Sequence, residues 1–592
     1  MGPVAASLKL KTLNDNPYLM IISTYKKHHT VLIGLTLFLL LIIAFWYYIA
    51  FPSENGWNRV IYLFLLSYFA SKLLIKHFPY GNNVIIISVD IACALESFLT
   101  ITQLLGYRTS VNCLFTMTGS FRNPGPLGCF LSVCISLLTA FCVKERKMQD
   151  YSIIHRLSFV LTAIIAIVAF IILPSTQSRS AMLALGCSMV FLAIGTERIR
   201  TKLKPILKRY GIWLLLGVAA LGAGAYMFKK PSADGRLFMD KICIKAMCDN
   251  GWRGAGIGHF GEAYGNAQAS YFKKQIDEKG KDDLDWRAIN EHDRMTADCP
   301  DNAFNEYLFI GVEAGLVAML LFICGIVTAI VVSFRRKTIW CYGLTAFAVF
   351  AMFSYPLHVK QFQIMFPVLL AACVSDMGAI ARNDDKVPTT PFCRDRKRLA
   401  GLAAMVAVLA VLSVTMASRL TEIRIHKQAE SAWNKAERWH KMEYYDYVVE
   451  NCDTLMPYMK HDYRFLFAYG QSLNKTDNHE KSDSILMLGT KISSDPMFWN
   501  VMGNNSLAQG RYSEAEERYK HAFYMVPNRL YPLTLLAKLY HIEGDTVRFL
   551  DMAEKVETFV PKIENANTER LRAEIREIRE GYNIEAIKDE EQ

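Results

Sequence analysis

Apolar residues are gathered into long runs as far as residue 418, and beyond residue 420 they give way to a polar, amphipathic pattern. A run of about 18 or more apolar residues is long enough to cross the roughly 30 Å hydrocarbon layer of a bilayer. Apolar windows predict eleven spans, near 31–51, 57–75, 83–105, 126–143, 157–174, 180–195, 211–228, 303–333, 339–355, 362–380 and 399–418. The fold class expected is therefore all-α: a polytopic transmembrane helical bundle over 31–418, preceded by a polar segment, 1–30. A long polar loop, 229–302, interrupts it, and a soluble helical domain over 419–592 follows. Lys26 and Lys27 precede the first run and no small-residue cleavage site follows closely, so that run reads as a retained helix rather than a signal peptide.

Charge adds an orientation. Basic residues of short loops stay on the cytoplasmic side during insertion. With the amino terminus inside, the inner segments hold 25 Lys and Arg against 5 in the short outer segments, which selects that orientation. An odd span count then puts both 229–302 and the carboxy-terminal domain outside. The formal charge of +11 is accounted for by these loop anchors, so nucleic acid is not an expected partner. Fourteen cysteines occur without a CxxC pair, so no metal site is expected. Spacing supports no particular disulfide among Cys113, Cys243, Cys248, Cys299 and Cys452.

The carboxy-terminal domain has an internal period. Trp499, Met502, Gly503, Ala515, Tyr519, Ala522 and Pro527 follow the tetratricopeptide spacing of aromatic, large, small, then Ala, aromatic, Ala and Pro. Leu533, Leu536, Ala537, Tyr540, Val556 and Pro561 repeat the register 34 residues on, and weaker copies end at Pro457 and Pro496. One helix pair cannot bury its apolar face alone, so three or four repeats are expected to stack as an α-solenoid that binds a protein partner or acceptor.

Candidate chemistry collects at the outer ends of apolar spans. Thr118-Gly-Ser-Phe-Arg122-Asn123-Pro124 enters a span through turn formers, and a helix amino terminus favours an anion. Ser178-Arg179 begins another span, where an arginine is either an interface anchor or a phosphate ligand. Asp234-Gly235-Arg236 opens the long loop, and Asp298-Cys-Pro-Asp301-Asn302-Ala-Phe304-Asn305-Glu306 closes it, with Glu313-Ala-Gly315 following. The glycine string Gly254-Ala-Gly256-Ile-Gly258 has no preceding strand, so a dinucleotide-binding fold is rejected.

In this order and placement the segments from Gly119 to Gly315 resemble the O-antigen ligase and O-antigen polymerase superfamily of bacterial inner membranes. The resemblance implies a helical glycosyltransferase whose donor is a glycan on undecaprenyl diphosphate, working without a metal, nucleotide sugar or other cofactor. The acceptor it implies is lipid A core, a growing glycan or a protein hydroxyl, at the periplasmic face and among membrane lipids. By the same resemblance Arg179 and Arg236 neutralise the departing diphosphate, with Arg122 as a third phosphate ligand and Asn123, Asn305 and Glu306 contacting substrate. Family members often carry a His immediately before the loop-exit Asn, proposed as the base that activates the acceptor hydroxyl, where this chain has Phe304. Asp301, Glu306, His292 and His358 are the alternatives, and Asp301 is preferred for its nearness to the matched segment.

Two other classes remain open. One is a non-enzymatic membrane-anchored scaffold for envelope assembly. The other is a transporter, for which Asp90 and Glu96 are the clearest ionisable residues within spans.

Overall fold

The computed structural model describes residues 56–77, 81–145, 153–228, 230–279, 284–375 and 420–590, with the single positions 407 and 410. All regular elements among them are helical. The predicted segment 1–30, the span 31–51 and nearly all of the span 399–418 fall outside the described residues. The chain divides into two compact units. One is drawn from 1–205, 325–350 and 356–423, the other from 206–324, 351–355 and 424–592.

The first unit is built around helix Pro124–Glu145, which packs against Arg179–Gly195, Ile153–Ile172 and Gly81–Leu104. Its apolar residues run all round the helix, and Cys129, Leu131, Val133, Cys134, Leu137, Leu138 and Ala140 are fully buried, as a helix without a polar face requires. Helix Gly56–His77 packs on Lys360–Val374, with the rings of Phe64 and Phe366 6.0 Å apart. Asp90 accepts a hydrogen bond of 2.8 Å from Thr162, tying Gly81–Leu104 to Ile153–Ile172. That pairing gives the intramembrane carboxylate a structural role, and Glu96 has separate partners described below.

Among the described residues, four helices are long and apolar enough to cross a membrane: Asn82–Leu104, Pro124–Lys144, Arg156–Thr176 and Glu306–Arg335. Arg179–Gly195 and Glu197–Ile206, bent by 102°, make a fifth if the pair is one span. The predicted spans 57–75, 339–355 and 362–380 correspond to shorter apolar helices, Leu63–Ile75, Trp340–Ala351 and Lys360–Val374. The second of these stops at Ala351, short of the predicted end. The predicted span 303–333 is also not one straight helix: Gly315, at φ 87° and ψ 168°, breaks Glu306–Arg335 internally.

In the second unit, helices from Tyr445–Met459 to Thr546–Thr558 are 12 to 15 residues long and each packs on the next. The residues picked out by the 34-residue period are interior: Met502, Ala515, Tyr519, Ala522, Leu533, Leu536, Ala537 and Val556 are fully buried. A Cβ on Gly503 would run into the Tyr519 ring, so the small position is where two helices meet closely. The segment 230–302 belongs to this same unit. Its helix Phe260–Glu278 lies on Tyr512–Met525, with Gly261 against the backbone of Ile492 and Ser493 and Gly265 against Met525. Asn528 donates to the carbonyls of Arg294 and Ala297, both at 2.8 Å, and Arg294 donates to the carbonyl of Val560 at 2.7 Å. Arg294 is 1% exposed and lies over the rings of Trp286 and Phe559, which repays some of the cost of burying its charge.

Candidate functional site

In the first unit, two of the segments singled out from the sequence come together. Gly128 lies under the turn Thr176–Ala181: a Cβ there would meet Thr176 Oγ1 at 2.9 Å, Ala181 Cβ at 3.0 Å and Ser178 Cβ at 3.1 Å. Ser132 donates to the Ala181 carbonyl at 2.8 Å and so fixes the same approach. Ser178 caps helix Arg179–Gly195 by accepting from the Ala181 N–H at 3.4 Å, and Arg179, half-buried, is the first residue of that helix.

The loop ahead of Pro124 is held from helix Gly81–Leu104. Buried Gln103 accepts from the N–H groups of Thr118 and Gly119 at 2.9 and 2.8 Å and donates to the Gly119 carbonyl at 2.9 Å. Glu96 accepts from the Ser120 N–H at 3.0 Å and from its hydroxyl. Gly119, at φ 59°, has no room for a side chain beside Glu96. Asn123 accepts from the Gly125 N–H at 2.8 Å, turning the chain into the helix, and Arg122 next to it is exposed.

The second unit contains a cavity of about 500 Å³. Arg236, His292, Phe304, Lys230, Asp234 and Lys562 are among its lining residues. Arg236, on helix Lys230–Asn250, lies with its guanidinium 5.0 Å from the centre of the Phe304 ring, which in turn meets the Tyr355 ring edge-on at 5.2 Å. The Tyr355 phenol lies within range of the charges of both Arg236 and Asp301. One turn beyond Arg236, Asp240 accepts a hydrogen bond from Asn305. Burial pushes the Asp240 carboxyl up to about 6, against the hydrogen bond from Asn305 and the nearby Arg236 charge. Asn305 also accepts from the Leu308 N–H at 3.3 Å, so it caps helix Glu306–Arg335 while holding Asp240.

The glycine string and the Glu313-Ala-Gly315 segment form one contact. Ala255 and Gly256 donate their N–H groups to the carbonyls of Val312 and Glu313 at 2.8 and 2.9 Å, and Gly258 donates to the Glu313 carboxylate at 3.0 Å. A Cβ on Gly254 would lie 2.5 Å from the Gly315 nitrogen, and one on Gly315 would run into the Trp252 carbonyl. The glycines thus let two backbones touch where the helix is broken.

Arg122, Asn123 and Arg179 belong to the first unit, and Arg236, Asp301, Asn305 and Glu306 to the second. Arg236 and Asn305 meet around Asp240. Asp301, the preferred base, is exposed, accepts a hydrogen bond of 3.2 Å from the Tyr463 hydroxyl and is not among the cavity residues. Glu306 is fully buried in the first turn of its helix, where the positive end of the dipole suits a carboxylate. His358 lies in the first unit, whereas His292 lines the cavity. Sequence reasoning missed Asp240, Tyr355 and Lys562. Asp240 had one legible signal, its place four residues after Arg236 on one helical face. Among the described residues no group of three His, Cys, Asp or Glu side chains is arranged to hold a metal, and the described cysteines are unpaired thiols.

Residues 163–323 match the family described as O-antigen ligase. That stretch includes Arg179, Arg236, Asp301, Asn305 and Glu306 and ends short of Arg122 and Asn123 on its amino-terminal side. No curated protein matches the chain.

Proposed function

We propose that the chain, whose residues 163–323 match the O-antigen ligase family and which has helices long and apolar enough to cross a membrane, is a glycosyltransferase acting on lipid-linked glycans. It moves an oligosaccharide from undecaprenyl diphosphate to an acceptor hydroxyl on lipid A core, a growing glycan or a protein. In this reading the bundle has eleven spans in the bacterial inner membrane, with a cytoplasmic amino terminus. The segment 229–302 and a tetratricopeptide solenoid over 419–592 are periplasmic, and the solenoid recruits acceptor or partner.

The observation that carries the proposal is the cavity of about 500 Å³ beside Arg236, with Lys230 and Lys562 on its walls. As the bond between the sugar's anomeric carbon and the diphosphate oxygen breaks, the leaving group gains negative charge. A guanidinium fixed before reaction stabilises that charge without reorganising, and its fork matches phosphate oxygens. The Phe304 ring, 5.0 Å from the guanidinium, helps to hold Arg236 in place at the cavity wall. Arg179 is assigned the same role toward diphosphate, Arg122 a supporting one, and Asn123, Asn305 and Glu306 contacts around the substrate. The donor supplies the activated sugar, so no metal or further cofactor enters the reaction.

The test uses the purified full chain, a labelled undecaprenyl-diphosphate glycan and each acceptor class in turn. Labelled product with one acceptor is expected, and Arg236→Ala should lower kcat roughly 100- to 1,000-fold. A folded protein that transfers to none of them, yet retains a partner through its carboxy-terminal helices, would favour the scaffold instead.

A further inference from the structure

We propose that His292 is the base that removes the acceptor hydroxyl's proton, an inference that rests on the transfer reaction proposed above. A hydroxyl is a poor nucleophile near neutral pH, and the family's histidine position holds Phe304. Phe304 has another task in this chain: its ring carries the Arg236 guanidinium and meets Tyr355. His292 and Phe304 line the same cavity. The cavity that Phe304 lines thus also presents an imidazole, that of His292.

The surroundings of His292 suit proton transfer. The residue lies on the short helix Glu291–Thr296, whose start is fixed by Asn290 accepting from the Asp293 N–H at 3.1 Å. Its side chain is 60% exposed, so an acceptor can reach it. Nε2 is 3.2 Å from the Asp234 carboxylate, which is only 12% exposed and orients the ring. With Nε2–H donated there, the lone pair is on Nδ1. Nδ1 is 3.7 Å from the Asp293 carboxylate, too far for a hydrogen bond. Asp293 is engaged elsewhere, accepting from Lys241 at 3.0 Å and from the Tyr271 hydroxyl. The charged groups around His292 are therefore Asp234 and Asp293 beside the ring, with Arg236, Lys230, Asp298 and Lys562 on the cavity walls.

The other candidates are placed less well. Asp301 accepts from Tyr463, Asp240 from Asn305, and Glu306 is fully buried. In the step itself, the acceptor oxygen forms a bond to the anomeric carbon. The bond from that carbon to the diphosphate oxygen breaks, and its electron pair leaves with the phosphate beside Arg236. The hydroxyl proton passes to Nδ1, giving an imidazolium between two carboxylates. No oxidant or further reactant is required.

His292→Ala and His292→Gln in the full chain, assayed with the labelled donor and its acceptor, test the assignment. Both should lower kcat roughly 100- to 10,000-fold. The donor KM should stay unchanged, the acidic limb of the pH–rate profile should vanish, and added imidazole should restore part of the His292→Ala rate. Asp234→Asn should give a smaller loss in kcat. Wild-type rates in both His292 variants, a change confined to KM, or a loss that instead follows Asp301→Asn overturns the base assignment while the reaction stands. Absence of transfer by the wild-type chain removes the reaction itself.

Discussion

The two compact units secure their irregular segments by different means. In the first, buried side chains reach out of a helix to gather main-chain groups: Gln103 serves Thr118 and Gly119, and Glu96 serves Ser120. In the second, side chains such as Asn528 and Gln268 also gather main-chain carbonyls, but at Gly254 and Gly315 main chain meets main chain directly because side chains are missing. The difference follows from the surroundings. Apolar helices leave loop amides few alternative partners, so a polar side chain must be buried to satisfy them. Where segments of a polar unit interlock, closeness is the limiting need, and glycine supplies it.

The sharpest way to break this comparison is to add a side chain at Gly315. Gly315→Val should lower stability by about 2–5 kcal/mol, from a positive φ and a collision with the Trp252 carbonyl. Gly510→Ala is the control, since Gly510 also has a positive φ but open space around it, and about 1 kcal/mol is expected. Thermal unfolding in detergent measures both, and equal effects would show that the backbone contact contributes nothing. In the first unit, Gln103→Leu should cost about 2–3 kcal/mol by orphaning the buried amides of Thr118 and Gly119.

Asp240 sharpens the comparison through pH. Its folded-state pKa of about 6 lies above the ordinary 3.8, so the folded protein binds the extra proton more tightly than the unfolded chain. Stability therefore falls as pH rises from about 4 to about 6, and Asp240→Asn should flatten that slope in urea titrations across this window. The smallest effect is expected for Tyr463→Phe. Its partner Asp301 is exposed, so the loss should stay below about 1 kcal/mol. A larger loss would mean that this exposed polar link adds measurably to the buried contacts that hold the second unit together.

The parts of this architecture legible in the sequence are the local ones. Runs such as 83–105 and 126–143 appear as helices Gly81–Leu104 and Pro124–Glu145 because continuous apolarity is a property of neighbouring residues. Averaged apolarity also hid the break at Gly315, which has apolar residues on both sides. The seating of 230–302 on the carboxy-terminal helices could not be read, since Gln268, Arg294 and Asn528 are ordinary polar residues until their distant partners are known. Of the site, Arg236 and Asn305 were visible as motif residues. Asp240 carried only its four-residue spacing from Arg236, which does not tell a site carboxylate from a solvated one before burial and Asn305 act on it. His292 is one of four candidate bases in the sequence, and only the fold shows that it lines the same cavity as Arg236 and Phe304.

Many of the links between the segment 230–302 and the carboxy-terminal helices end on main-chain carbonyls: those of Met525, Arg294, Ala297, Val560 and Pro300. Every amino acid brings that same oxygen. The receiving positions can therefore drift in identity while the attachment persists, and only the donors Gln268, Asn528, Arg294 and Ser494 are constrained. Paired substitutions across this seam would leave little mutual information, so it should be nearly invisible to methods that infer proximity from correlated change, however firmly it is held.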